Sequence, residues 1–221
     1  MQPSNHPEAV VTPAELEQAA AIIRRGGIVA FPTETYYGLA VDPFNREALS
    51  RLFALKRRAP DKPILCLVPD REHLFSLADS IPPSYEPLME AFWPGPLTLI
   101  FTAREEVPVS LTGYSGTVGV RLSSHPVAAR LAQIYGGAIT ATSANFSGHP
   151  AAVNAAEVGA QLGPDVDYIL DGGETPGGAG STLVGVENEQ LVLRRPGVIT
   201  RQELNDVLGP ERIIAGPEEG N

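Results

Sequence analysis

Hydrophobic and polar positions along this chain follow two periods, one helical and one extended, and the switches between them mark its elements. Thr12-Pro13-Ala14-Glu15 is a capping box with proline at the first helical position, and it predicts a helix over residues 13–25. Gly26-Gly27 stops that helix, and the apolar run 28–31 follows as a strand. Asn45 is placed to cap a second helix whose apolar face is Leu49, Leu52, Phe53 and Leu55. This helix delivers Lys56, Arg57 and Arg58 at its C-terminal end. Residues 63–68 read as a buried strand, and 71–78 and 84–92 as short helical stretches. Trp93-Pro94-Gly95-Pro96 forces a turn into a strand over 97–102. Further strands are predicted over 118–122, 138–142, 168–170, 182–186 and 190–194, with helices over 125–135, capped by Ser124, and 155–162. A second capping box, Thr200-Arg201-Gln202-Glu203, opens a last helix that stops before Gly209-Pro210.

Many strands, few long helices and several connections too short for helical crossovers predict an α/β fold. The expected architecture is a mixed, twisted sheet with helices packed on it. One domain is expected over residues 12–208, with terminal tails at 1–11 and 209–221.

Composition narrows the class. Hydrophobic residues make up 43% of the 221, enough for a sizeable core, while charged residues are only 19%. The longest unbroken apolar run, Ile64-Leu65-Cys66-Leu67-Val68, is far too short for a membrane span, and residues 1–7 lack the features of a signal peptide. A cytoplasmic protein without a membrane partner is the expectation. Cys66 is the single cysteine, inside an apolar run, so a buried structural thiol is expected and an intrachain disulfide is excluded. The four histidines show no ligand spacing, so no metal site built from protein side chains is expected.

The net charge of −10 disfavours a broad nucleic-acid surface. Yet Lys56, Arg57, Arg58, Lys62, Arg121, Arg194 and Arg195 all lie in or beside unusual motifs. An acidic chain that gathers its cations in this way reads as a binder of a small anion.

The candidate chemistry lies where strands end. Pro32-Thr33-Glu34-Thr35-Tyr36-Tyr37-Gly38 follows the first strand with hydroxyls and a carboxylate, and suits either a turn or a binding loop. Lys56, Arg58 and Lys62 suit a nucleotide's phosphates, or simply a helix C-terminus that favours cations. Arg121, at a strand exit, can reach solvent or pair with a carboxylate. Ser143-Ala144-Asn145 offers a hydroxyl and an amide to a ligand, or an ordinary cap or turn. The glycine-rich stretch from Gly172 to Ser181 lacks the lysine of a Walker loop and leads into a strand, which excludes that class of ATPase. A lid, or an edge bearing hydroxyls, remains open. Leu193-Arg194-Arg195-Pro196-Gly197 ends the last long strand with two cations.

Seven segments, in order, carry a resemblance. Phe31-Pro32-Thr33-Glu34-Thr35-Tyr36-Tyr37-Gly38-Leu39, Lys56-x-Arg58, Trp93-Pro94-Gly95-Pro96-Leu97-Thr98, Val120-Arg121, Ser143-Ala144-Asn145, Ser181-Thr182 and Arg195-Pro196-Gly197 resemble the YrdC-like threonylcarbamoyl-AMP synthases of the single-domain type. The resemblance covers residues 12–208 and implies a twisted α/β sheet around a large electropositive cavity. It also implies a nucleotidyltransferase that makes threonylcarbamoyl-AMP and pyrophosphate from L-threonine, bicarbonate or CO2, and ATP. Mg²⁺ would accompany the ATP, and tRNA threonylcarbamoyl-transfer proteins would act downstream, with direct tRNA binding weak or absent.

Carried onto this chain, the resemblance makes Lys56, Arg58, Ser143 and Asn145 the catalytic set. Threonine would meet Thr35, Arg121, Ser181 and the backbone at Ala141. ATP would meet Arg58, Lys62, Thr117, Ser143, Arg195 and the backbone near Ala151. Lys62 stands where some members carry asparagine, and Leu67 where some carry a histidine against threonine, a contact that must be replaced or absent here. The alternative is an RNA-binding or carbamoyl-handling paralogue without synthase activity.

Overall fold

The reciprocal caps start helices where the sequence places them. Glu15 N donates to the Thr12 hydroxyl at 3.3 Å and Thr12 N donates to the Glu15 carboxylate at 2.7 Å, opening α1 (Pro13–Arg24). Asn45 Oδ1 accepts from Glu47 N and Ala48 N, opening α2 (Arg46–Lys56). The remaining helices are α3 (Glu86–Phe92), α4 (Pro126–Tyr135), α5 (Ala155–Leu162) and α6 (Arg201–Leu208). The structure is a computed structural model and describes residues 11–210 and 212–216.

The strands form two mixed, twisted sheets. β1 (Val29–Pro32), β2 (Tyr37–Ala40), β7 (Thr142–Ser143) and β8 (Tyr168–Ile169) make a four-stranded sheet in the order β7-β2-β1-β8. The other sheet contains β3 (Cys66–Leu67), β4 (Leu97–Thr102), β5 (Thr117–Arg121), β6 (Ile139–Thr140), β9 (Thr182–Glu187), β10 (Gln190–Arg195) and β11 (Ile213–Ala215). Its order is β11-β10-β9-β4-β5-β3-β6, with parallel pairs at β10–β11, β9–β4 and β5–β3. Short antiparallel connections alternate with longer parallel ones, which is the expected mixed α/β architecture.

Two apolar clusters hold the layers together. Leu16, Ala19, Ala20 and Ile23 of α1 pack with Ala128, Leu131 and Ala132 of α4 on Val29 and Phe31 of β1. The larger cluster joins Leu49 and Leu52 of α2 to Leu97, Leu99, Val118, Val120 and Val184 of the seven-stranded sheet. Each such fully buried aliphatic side chain contributes about 1.5–3 kcal/mol.

Several boundaries differ from the sequence reading. The strand expected over 63–68 pairs only at Cys66–Leu67, and the stretches 71–78 and 84–92 begin as 3₁₀ turns. The cap of α4 is His125 rather than Ser124, its ring Nδ1 accepting from Val127 N at 3.3 Å, with Pro126 filling the first helical position. Residues 138–142 are not one strand. Thr140 pairs in β6 with Cys66, Thr142 pairs in β7 with Leu39, and the chain changes sheets through Ala141. The tail assigned from residue 209 onward is corrected at 213–215, where Ile213, Ile214 and Ala215 pair in parallel with Leu191, Val192 and Leu193. Two β-branched residues beside an apolar edge strand outweigh the polar character of their surroundings. The expected tail at residues 1–10 lies outside the described residues.

Candidate active site

A buried arginine organises one end of the site. Arg121 closes β5 and is 3% exposed. Its Nη1 lies 3.3 Å from Glu34 Oε1 and 3.5 Å from the Thr35 hydroxyl. Glu34 and Thr35 belong to the turn between β1 and β2, which Thr33 locks by donating its hydroxyl to Tyr36 O at 2.7 Å. The Thr33 and Thr35 hydroxyls stand 3.1 Å apart. The second Glu34 oxygen, Oε2, accepts the Ser123 hydroxyl, and Ser123 Oγ accepts from His125 N at 3.2 Å. Burial draws Arg121 below its ordinary pKa, and the Glu34 carboxylate opposes that shift. Burial lowers His125 as well, with Glu34 again acting in the other direction.

The other end is held by a lysine without a carboxylate. Lys56, the last residue of α2, is 1% exposed, and its Nζ donates to Ser143 O and, at 2.8 Å, to Asn145 O. Burial and the neighbouring Arg58 charge lower its pKa to about 7. Arg57 adopts the left-handed conformation (φ 50°) that ends α2, and its guanidinium stacks 4.5 Å from the Phe146 ring centre. Ser147 N donates to Lys56 O at 2.9 Å. The segment 143–149 is therefore clamped to the helix end from both backbone and side chain. Asn145 is buried, its Nδ2 donating to Phe146 O and His149 O while its Oδ1 makes no hydrogen bond. Arg58 is half-buried and arches over the following turn, donating to Lys62 O at 3.2 Å and Pro63 O at 2.8 Å.

A third set comes from the start of β9 and the end of β10. Ser181 is buried, with its hydroxyl 2.8 Å from that of Thr98 and 3.3 Å from Arg195 Nη2, which also donates to Ser181 O at 2.9 Å. Gly197 makes this approach possible: a Cβ there would stand 2.4 Å from Gly180 O and 2.5 Å from Thr182 N. Val120 pairs with Leu99, so Thr98 lies beside the Arg121 end of β5. The glycine-rich stretch is tied down at Gly173, whose carbonyl accepts the Tyr37 hydroxyl at 2.7 Å, and at Gly177, whose N–H donates to Thr35 O at 2.8 Å.

The predicted residues thus fall into linked groups. Thr35 meets Arg121, Lys56 meets Ser143 and Asn145, Ser181 meets Arg195, and Arg58 meets the Lys62 backbone. The Lys62 side chain is exposed. Thr117 opens β5 at the end away from Arg121, roughly 13 Å along an extended strand. The loop before it packs against the turn after Arg58, since a Cβ on Gly113 would lie 2.4 Å from Asp61 O and 2.8 Å from Pro63 N. Ala151 precedes Ala152, whose carbonyl accepts from Tyr37 N at 2.9 Å, and so borders β2. Ala141 is the residue between β6 and β7, its N–H held by Leu65 O at 2.9 Å. Leu67 pairs with Arg121 across β3 and β5, so the position at which some relatives carry histidine is an apolar neighbour of the arginine.

Three side chains of this cluster were not singled out as site residues from the sequence: Glu34, Ser123 and Thr98. The signal for Glu34 was present, a carboxylate between two threonines after a strand, but its partner lies on a distant strand. Thr98 stood in the Trp93–Thr98 segment of the resemblance without an assigned role, and Ser123 carried no local signal beyond a hydroxyl after a strand.

Strand ends from two mixed sheets that converge on buried cations and hydroxyls define an α/β domain suited to a charged small molecule. The chain belongs to the Sua5/YciO/YrdC family, whose family model, described as telomere recombination, matches residues 21–197. The threonylcarbamoyl-AMP synthase of Pyrococcus abyssi is 40% identical over 195 residues, covering 88% of this chain and 57% of that protein. The Bacillus subtilis threonylcarbamoyl-AMP synthase is 36% identical over 208 residues, 94% of this chain and 60% of that protein. The crystal structure of P. abyssi Sua5 complexed with L-threonine has a TM-score of 0.87 at 39% identity, covering 91% of this chain and 59% of that one. The chain therefore spans about 60% of the length of these relatives or less.

Proposed function

We propose that this chain is an L-threonylcarbamoyladenylate synthase. It would join L-threonine, bicarbonate or CO2, and ATP into threonylcarbamoyl-AMP, with release of pyrophosphate, for tRNA threonylcarbamoyladenosine modification. The supporting observation is the contrast between two buried cations: Arg121 is balanced by a carboxylate, whereas Lys56, among the described residues, is met by backbone carbonyls. A cation without a counter-ion stabilises a polyanion strongly once water is excluded.

In this reading Arg121 takes the threonine carboxylate, with Thr35, Ser181 and the Ala141 backbone completing the subsite. Lys56, Arg58, Lys62 and Arg195 surround the triphosphate, with Thr117, Ser143 and the backbone near Ala151 along the nucleotide. The threonine ammonium gives a proton to solvent, and the free amine adds to CO2 with loss of its second proton to solvent. An oxygen of the resulting N-carboxylate attacks the α-phosphorus, breaking its bond to the departing pyrophosphate. Lys56 and Arg58 stabilise the charge that builds there and on the leaving pyrophosphate, while Ser143 and Asn145 hold the reacting groups. Positioning and electrostatics suffice, so no side-chain nucleophile is required; Cys66 is fully buried with its thiol pKa pushed up by burial.

The polar groups fit a magnesium–nucleotide complex. Asn145, whose backbone carbonyl meets Lys56, has a side-chain Oδ1 without a hydrogen bond, and hard cations of this kind keep mostly phosphate and water ligands. Mg²⁺ would neutralise the triphosphate, with Asn145 as the protein-side oxygen suited to it. The product would pass in the cytoplasm to tRNA threonylcarbamoyl-transfer proteins.

Pyrophosphate release from ATP and bicarbonate, with and without L-threonine, tests the proposal. Threonine-dependent release with a nucleotide product heavier than AMP supports it. Tight ATP binding without threonine-dependent release would favour an RNA-binding or carbamoyl-handling paralogue.

A further inference from the structure

The proposed roles leave one carboxylate unassigned inside a site otherwise rich in cations. Glu34 touches Arg121, but the pair is only half closed. Buried guanidinium–carboxylate pairs favour two parallel hydrogen bonds. Here the two groups approach through Nη1 and Oε1 at 3.3 Å, and neither Glu34 Oε1 nor Arg121 Nε makes a hydrogen bond. Glu34 Oε2 is occupied by the Ser123 hydroxyl, which fixes the carboxylate with its other oxygen toward the arginine. A buried acid thus keeps one unused acceptor, and a buried base one unused donor, side by side.

Both atoms are covered, so a ligand reaches them by parting the ion pair. What it must then supply follows from charge. A ligand with a carboxylate alone would satisfy Arg121 and leave Glu34 buried without its counter-ion, a costly exchange. A ligand with a carboxylate and an ammonium on one carbon replaces the single internal pair by two, one to each residue. An α-amino acid zwitterion has that arrangement.

We infer that Glu34 holds the ammonium group of the amino-acid substrate and thereby excludes carboxylic acids that lack an amine. The inference rests on the threonine reading of the Arg121 subsite. Glu34 is then a specificity-determining residue, with Ser123 as the group that positions it and His125 as the neighbouring titratable group.

The test is calorimetric titration of two probes, L-threonine and 2,3-dihydroxybutyrate, in which a hydroxyl replaces the amine. Wild-type protein is expected to prefer L-threonine by at least about tenfold, as sites built around a charged partner do. Glu34→Gln should weaken L-threonine by about ten- to a hundredfold and bring the two probes within about threefold of each other, with ATP affinity unchanged. Should Glu34→Gln fail to fold, Glu34→Asp, which keeps the charge and withdraws it by one methylene, should weaken L-threonine more than 2,3-dihydroxybutyrate, and equal weakening of the two would overturn the inference. Equal binding of both probes by wild type overturns the inference, as does a folded Glu34→Gln protein that binds L-threonine normally. If wild type binds ATP but neither probe, the threonine reading of the whole subsite falls, and the inference with it.

Discussion

The two buried cations of the site solve the same electrostatic problem in different ways. Arg121 carries its counter-ion with it, in Glu34, and the charge of that corner is complete before any ligand arrives. Lys56 relies on the carbonyls of Ser143 and Asn145, partial charges that hold the ammonium group without neutralising it, and its pKa falls to about 7. A corner with internal balance can choose among ligands by their charge pattern. A corner without it waits for an anion. This difference is consistent with the proposed reading, in which the amino acid takes the balanced end and the phosphates the other.

Breaking the balanced pair is the severest test of this contrast. Arg121→Met leaves the largely buried Glu34 carboxylate without its counter-ion, and chemical denaturation should show a loss of up to about 3–5 kcal/mol. The double variant Arg121→Met/Glu34→Gln should recover most of it; a double variant as unstable as the single one would show that the pair is not the unit. At the unbalanced end, Arg58→Ala should lower the rate of pyrophosphate release by about 10²–10³-fold with little change in melting temperature. Cys66→Ala should retain nearly the full rate. Equal activity of these two variants would remove the phosphate end from its assigned place.

Lys56 sharpens the comparison through pH. Its folded value of about 7 lies below its ordinary 10.5, so between these limits the unfolded chain carries more protons than the folded one. Stability therefore rises with pH across that window, and the Lys56 penalty is fully present below it. An anion bound beside Lys56 raises its pKa again. ATP binding at pH 8 should take up as much as about one proton, read from binding heats in buffers of different ionisation enthalpy, and Lys56→Met should abolish the uptake. The smallest effect belongs to Thr117, at the far end of β5. Thr117→Ala should weaken ATP by about two- to tenfold, the range for one lost hydrogen bond, with L-threonine binding unchanged.

How much of this was legible beforehand depended on the range of the interactions involved. Caps act within a single turn, so Thr12, Asn45 and Thr200 announced their helices correctly. β8 lies within the predicted strand over 168–170, but β3, β6 and β7 contain two residues each, too few for their bounds to show as a period. β2 was hidden because Tyr37 and Gly38 read as loop surface, although both are buried and paired with β1. In the site, the cations and hydroxyls stood out by type and placement at strand ends. Their pairing did not, because Glu34 finds Arg121 and Ser123 only after three strands have assembled. The preference of Lys56 for the 143–145 backbone was equally invisible, since a helix-end lysine carries no mark of the carbonyls it will meet.

The passage of the chain through Ala141 bears on how such a protein can change over generations. One residue separates a strand of one sheet from a strand of the other, and Ser143 and Asn145 follow at once. An added or deleted residue there would turn Ser143 to the opposite face and pull both carbonyls off Lys56, so length at this point is fixed. The segment between β4 and β5 joins antiparallel neighbours and is tied by Val107 and Leu111 in the core and by Gly113 against Asp61, while Val109 stands exposed. New recognition surfaces can therefore be grafted around the exposed Val109, but not at the crossing.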